Sequence, residues 1–453
     1  MPLGACRLKK RILVLVAGLW ASVSFTSCGG SSGPTSPPSG LPYRVLASQS
    51  VSSTFTFGEF QIIDGQDDTI PRVAPIQAGE SPGMMAISPS LNLVAAFDSG
   101  TNSVYSVNTV TEKSIGHVQL PGPTSSIVLP TSDQVGYAAV PTAYVDGYSF
   151  LGAVEVMNLA GKITTTIAVT NAQTVVSNQG GSQLLVFPPP EPTPNGINTV
   201  TVLSPEEASP PVDTSCFDPL PNAVCAVVSG FDRPVNAIVD GNIAYVLNCG
   251  PECGGTQASV MILNLAKLAI TNTIPVDAAT DGYLIGSTLY VAGNSPTNNA
   301  CTNQTTAATT CGRLDTIDLT TNTVTSSIAI TDGYHDRMDM SINGQLFIGS
   351  YDCTEIGNGN GILNGSNPTG EVRGCLTILN TNTGALVFPP ENGDVNGLQS
   401  FTTREVEYVA QGGVLYVYNT DNGLDVLLLN DYILEGVIDV VGYCGDVKSI
   451  DSF

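Results

Sequence analysis

Residues 233–276 decide the fold: Arg233-Pro-Val-Asn-Ala-Ile-Val-Asp240, then Ile243-Ala-Tyr-Val-Leu-Asn248, Ser259-Val-Met-Ile-Leu-Asn264 and Thr273-Ile-Pro-Val276. Each is a short run of β-branched and apolar residues bounded by Gly, Asn, Asp or Thr, the pattern of a strand between turns. Four such runs in succession read as one meandering four-stranded unit. The same sequence of runs recurs outward in both directions. Upstream are Pro82-Gly-Met-Met-Ala-Ile-Ser-Pro89, Leu93-Val-Ala-Ala-Phe97 and Ser103-Val-Tyr-Ser-Val-Asn108. Downstream are Met338-Asp-Met-Ser-Ile342, Gln345-Leu-Phe-Ile-Gly349, Cys375-Leu-Thr-Ile-Leu-Asn380 and Ala385-Leu-Val-Phe388.

The units start near residues 82, 123, 173, 233, 280, 336 and 394. Four-stranded units repeating at roughly 40 to 60 residues are the mark of β-propeller blades. The chain ends in a half-unit, Asp446-Val-Lys-Ser-Ile450, that matches a first strand with the rest missing. Its start supplies the complement, because Tyr43-Arg-Val-Leu-Ala47 and Phe60-Gln-Ile-Ile-Asp64 match later strands with the first missing. Pairing the two ends would close the ring and remove its free edges. The repeat count predicts an all-β propeller of eight blades over residues 43–453, or seven if the poorly matched unit at 173 is not a blade.

Two of these units carry a family likeness. Pro234-Val-Asn-Ala-Ile-Val239 with Ala244-Tyr-Val-Leu-Asn248, and Ile317-Asp-Leu-Thr-Thr-Asn-Thr-Val324, resemble the YVTN-type propeller repeat of bacterial surface-layer-like proteins. The resemblance implies a fold more firmly than an activity. Members are mostly surface or binding proteins, and some related propellers are lactonases or quinone-cofactor dehydrogenases.

The first residues read as an export signal. Arg7, Lys9, Lys10 and Arg11 precede the apolar run Ile12–Trp20, and small and hydroxylated residues follow. That run is too short to span a bilayer, which takes about 20 residues. The stretch Phe25-Thr-Ser-Cys-Gly29 resembles the lipobox of bacterial lipoproteins, which implies lipidation at Cys28. Residues 1–27 are therefore expected to be a leader, and residues 28–42, rich in Gly, Ser and Pro, a tether. The expected location is the cell envelope, on the outer membrane or cell surface, with the membrane reached through the lipid anchor.

Cysteine usage agrees with an oxidising compartment. Near-sequence pairs are Cys216/Cys225, Cys249/Cys253, Cys301/Cys311 and Cys353/Cys375, expected as disulfides, with Cys444 left over. Zinc is a rival at Cys249-Gly-Pro-Glu-Cys253, but no second cysteine or histidine pair follows at matching distance. The formal net charge is −24. A chain this acidic repels nucleic acid, and its scattered acids read as a solvated surface, with Ca²⁺ the one ion they would suit.

Catalytic motifs are scarce. The two histidines are His117 and His335, and the one tryptophan, Trp20, lies in the leader. Haem and multi-histidine metal sites are therefore not expected, nor is a cofactor or resident metal. Gly-x-Ser-x-Gly occurs at Gly29–Gly33 in the tether and at Gly79–Gly83 ahead of a strand-like run, neither between a strand and a helix as a nucleophile elbow requires, and there is no phosphate loop or His-Glu-x-x-His. One constellation stands out. Asp232-Arg233 and His335-Asp336-Arg337 place an Asp-Arg step near the start of two units, where a propeller's innermost strands ring one mouth of the channel. The arginines could bind an anionic ligand with His335 as acid or base, or each could pair with a neighbouring carboxylate and fix a blade junction. The longest insertions, 141–152, 188–198, 248–258, 293–312 and 352–374, fall between second and third strands and belong to the same mouth. They are either a recognition surface or neutral decoration. The sequence thus predicts a monomeric, non-enzymatic propeller that binds a protein, peptide or envelope polymer. The alternative is a hydrolase or lactonase with a carboxylate-bound divalent metal at the mouth.

Overall fold

The computed structural model describes residues 37–50, 57–131, 133–190, 198–204, 224–295, 312–354, 374–389, 393–420, 434–440 and 442–451. The deciding stretch folds as it reads: Pro234–Asp240, Ile243–Asn248, Ser259–Asn264 and Ala269–Pro275 form one antiparallel meander. Seven further four-stranded sheets are built in the same way, giving eight blades. Their innermost strands are Pro82–Ile87, Ser126–Val128, Thr174–Ser177, Pro234–Asp240, Asp281–Ile285, Tyr334–Met340, Val395–Phe401 and Cys444–Ser449. The unit at 173 is a true blade, which removes the seven-blade alternative.

The last blade joins the two ends of the chain. Cys444–Ser449 is innermost and pairs with Arg44–Gln49, followed by Glu59–Asp64 and Ile76–Gln77. We call this closing blade the first, and number the others in chain order.

Burial follows position in the blade. Second strands such as Leu93–Asp98 and Val406–Gln411 are buried at every residue, because a blade packs on each face. They read as near-continuous apolar runs for that reason. Outermost strands such as Lys113–Gln119 and Thr323–Ile330 are largely exposed and carry Lys, Ser and Thr. The core is accordingly divided. One apolar cluster fills each junction between neighbouring blades, including the junction of the eighth with the first through Val45, Phe401, Tyr408 and Val447. A ring with an apolar seam at all eight junctions has no free face.

Residues 37–41 dock on the ring. Ser39 donates from its backbone N–H and from Oγ to the Glu112 carboxylate, at 2.7 and 2.6 Å, and Leu41 packs against the junction of the first and second blades. The segment expected as a tether over 28–42 is therefore engaged at its end. Cys28 and the leader lie outside the described residues. No helix among the described residues is long and apolar enough to cross a membrane.

Candidate functional site

Innermost strands begin at one end of the channel, which we call the mouth. Second strands end there and third strands begin there, so the long insertions found in the sequence leave and re-enter the ring at this face.

Five innermost strands carry a register irregularity near their mouth end: Pro82/Met85, Pro234/Asn236, His335/Arg337, Val395/Gly397 and Cys444/Asp446. A bulge re-aims the side chains beside it and is common next to binding sites. The bulged residues of the fifth, seventh and eighth blades are Val235, Asp336 and Asn396. The residue after each faces the next blade. Asn236 donates from Nδ2 to Asp281 Oδ1 at 3.2 Å, and Arg337 donates from Nε to the Asn396 carbonyl at 2.9 Å. At Gly397 a Cβ would collide with the Asp446 carboxylate and the Val447 N–H, so only glycine fits there.

This register corrects the sequence alignment of the two Asp-Arg steps. Aligned on the bulge, Arg337 corresponds to Asn236, and Arg233 to Tyr334. Asp232 has a different task. Its carboxylate accepts from the Thr256 N–H and hydroxyl and from the Gln257 N–H, fastening the 249–258 segment. Burial opposes its charge, but these bonds and Arg233 hold its pKa below the ordinary value. Arg233 has a positive φ of 62° and reaches the Gly254 carbonyl at 3.5 Å. In the seventh blade Asp332 plays this fastening part, accepting from the Thr354 N–H at 2.7 Å.

Asp336 and Arg337 line a cavity of about 220 Å³ at the mouth, together with Tyr334, Tyr351, Thr280, Asn236 and residues of the third and fourth blades. Arg337 Nη1 donates to Asp336 Oδ2 at 2.9 Å, and the two side chains keep 29% and 30% of their surface accessible. They are deep among protein atoms yet open to the channel. Burial opposes the Arg337 charge, but Asp336, Asp446, Asp281 and Tyr351 more than offset it and raise its pKa. Asp336 is raised by burial and by Asp446 and Asp394, against Arg337, and its Oδ1 is buried without a hydrogen-bond partner. Asp281 is pushed up to about 7 by burial, then by Asp336. The Tyr334 and Tyr351 rings lie 5.2 Å apart, tilted by 40°. Both hydroxyls stay protonated at neutral pH, Tyr351 pushed up to about 12 and Tyr334 well above its ordinary value, each chiefly by burial.

Glu252 sits between the cysteines of one loop. Its Oε2 accepts from the Asn294 N–H at 2.9 Å, and burial pushes its pKa up to about 8. Asn294 in turn donates to the Gly333 carbonyl at 2.7 Å, which ties this loop to the entrance of the seventh blade.

His335 belongs elsewhere. It is fully buried, and neither ring nitrogen makes a hydrogen bond. Burial pushes its pKa down to about 4, and the nearby Thr331 backbone and Asp332 do not reverse that. It is a neutral packing residue here, and the acid–base role considered from the sequence does not fit a ring sealed from the channel. His117 is exposed on the outermost strand of the second blade, where it stacks on Tyr105.

Cys249–Cys253 and Cys353–Cys375 are disulfides, which removes zinc at the first pair. Cys225 is also disulfide-bonded, while Cys216, Cys301 and Cys311 lie outside the described residues. Cys444 is a buried free thiol on the closing strand.

No family model and no curated protein matches the chain. Solved structures do. Kuenenia stuttgartiensis hydrazine synthase aligns over 81% of this chain and 89% of its own at 11% identity, with a TM-score of 0.46. The dihydro-haem d1 dehydrogenase NirN, in complex with DHE, aligns over 86% of this chain and 75% of its own at 12% identity, with a TM-score of 0.55. The likeness is one of fold. At such identity the NirN comparison supports the propeller and carries no activity across.

Sequence reasoning found Asp336 and Arg337 but missed Tyr351, Asp281 and Glu252. Tyr334 adjoins His335 and could have been included. Glu252 stands out in the sequence only as the interior of a cysteine pair.

Proposed function

We propose that this chain is an exported, lipid-tethered propeller that binds a protein, peptide or envelope polymer at the channel mouth. The observation that carries this reading is the cavity lined by Tyr334, Tyr351, Asp336 and Arg337, on the face where the connections between second and third strands leave the ring, while the long connections from Leu203 to Val224 and Asn419 to Leu434 leave from the other face. A rigid ring presenting variable segments around a concave polar and aromatic site is the arrangement of a recognition surface. Export is supported by the leader pattern, the lipobox-like Cys28 and the two loop disulfides. The repeat pattern favours a YVTN-type propeller.

The geometry does not favour the hydrolase alternative. The mouth carboxylates already have protein partners: Asp336 with Arg337, Asp281 with Asn236, Glu252 with the Asn294 N–H and Asp232 with Thr256. Among the described residues no three His, Cys, Asp or Glu side chains converge as a metal site. Metal analysis of the purified chain, with a thermal shift on adding Ca²⁺, separates the readings. The binding reading expects no stoichiometric metal and no specific Ca²⁺ response, and metal bound at the mouth would reverse it. The anchor is tested by Cys28→Ser, which should release the protein from membranes or leave it uncleaved. Partitioning of the wild type into the aqueous phase of a detergent extraction would contradict the lipoprotein reading.

A further inference from the structure

We infer that the mouth cavity accepts an organic cation, a primary ammonium or guanidinium group of the size of a lysine or arginine side chain. This rests on the binding reading above and gives it a ligand chemistry. Two arginines beside the mouth would suggest an anion site, but the hydrogen bonding points the other way.

Arg337 is committed at Nη1 and Nε, which leaves Nη2. Nη1 donates to both the carbonyl and the carboxylate of Asp336, and Nε to the Asn396 carbonyl. Its charge is further offset by Asp446 and Asp281. Against this one guanidinium stands Asp336 in the cavity wall, with Asp281 and Glu252 outside the lining, and burial raises the pKa of all three in spite of their partners. Carboxyls in that state gain from a bound positive charge. Asp336 Oδ1 is the clearest case, a buried acceptor with no donor, in a residue that lines the cavity. A buried unpaired acceptor is costly, and a turn of the carboxyl that brings Oδ1 to the cavity would let a ligand N–H satisfy it.

The aromatic pair supplies the other half of the site. Tyr334 and Tyr351 both line the cavity, and Tyr351 remains 37% exposed. A cation set over a tyrosine face and beside a carboxylate draws on both the ring quadrupole and the charge. The volume, about 220 Å³, suits a side chain or small amine and not a globular surface. The acidic chain as a whole attracts positive ligands to the ring.

The test is calorimetric titration of the full chain in mild detergent. The probes are a tri-lysine peptide, spermidine, a tri-glutamate peptide and CaCl₂ at matched ionic strength. Tri-lysine or spermidine should bind and tri-glutamate should not. A preference for tri-lysine points to a peptide partner, and a preference for spermidine to a free amine. Asp336→Asn and, independently, Tyr351→Leu should each weaken cation binding by about tenfold or more. Tyr351→Leu leaves the Asp336–Arg337 pair intact, so it guards against misfolding of the first variant. The inference is overturned if neither cation binds, if CaCl₂ alone gives a saturable signal, or if both variants bind as the wild type does. If tri-glutamate binds and Tyr351→Leu abolishes it, the mouth is a binding face but its ligand is anionic. That result removes this inference while sparing the reading beneath it.

Discussion

Arg44 and Asp451 meet at 2.6 Å although 407 residues separate them. Arg44 donates from Nη2 to Asp451 Oδ1, from Nε to Oδ2, and from Nη1 to Glu112 and the Thr109 carbonyl. One buried guanidinium thus joins the end of the chain, its first strand and the second blade. Burial opposes its charge, but Asp451 and Glu112 more than compensate.

The first prediction follows from that contact. Arg44→Met strands two carboxylates at the closure and should lower unfolding free energy by about 3 kcal/mol or more, as breaking a buried pair does. Denaturant melts of the full chain check it. An unchanged midpoint would mean the ring is closed by its strands alone.

His335 is predicted to be dispensable. It is sealed in the seventh blade with both nitrogens unpartnered, so an apolar residue of similar size should be neutral or stabilising. Its folded pKa, about 4, lies below the unfolded 6.5. The unfolded chain therefore binds its proton first, and stability is lost as pH falls from about 6.5 through 4. Thermal melts at pH 7 and pH 4.5 should show His335→Leu equal or better at both, with less loss in acid. A large loss at pH 7 would show a hidden partner for the ring.

The carboxyls of the channel predict the opposite slope. Asp281 has a folded pKa of about 7 and an ordinary value of 3.8. The folded state holds that proton more tightly, so this contribution is complete in acid and fades as pH rises through about 7. Glu252, at about 8, and Glu407, well above its ordinary value through burial and Asp339, act in the same direction. Asp281→Asn keeps an acceptor for Asn236 and removes the repulsion from Asp336. Its advantage over the wild type should grow from pH 5 to pH 8.5 in parallel melts. A constant difference would place the titration elsewhere.

Reduction should act on the mouth and not on the ring. Cys353–Cys375 closes a separation of 22 residues and Cys249–Cys253 one of 4, both between a second and a third strand. A loop of some 15 to 25 residues removes about 3 kcal/mol from the unfolded chain, and the tighter one less. The β signal in circular dichroism should survive dithiothreitol with a lowered melting temperature, while ligand binding weakens. Loss of the whole β signal would contradict the view that the junction seams hold the fold.

How much of this was legible in the sequence depends on the length scale. Blade starts at 82, 173, 233 and 394 fall within one residue of the innermost strands at Pro82, Thr174, Pro234 and Val395, because four runs between turns survive variation in the side chains. The closure was legible from two incomplete units. The site was less so. A bulge inserts one residue and reverses which side chains face inward, so Arg337 and Arg233 were matched although Arg337 corresponds to Asn236. The burial of His335 was hidden for the same reason. Tyr351 and Glu252 reach the mouth only because second strands end there, a relation between blades that no local pattern encodes.

The claim that the mouth is the binding face is tested most directly by comparative capture from envelope extract. The full chain serves as bait beside Tyr351→Leu at the mouth and Ile285→Ser at the exposed turn on the opposite face. The account predicts a species retained by the wild type and by Ile285→Ser and lost from Tyr351→Leu. Equal capture by all three, or loss only with Ile285→Ser, would contradict it.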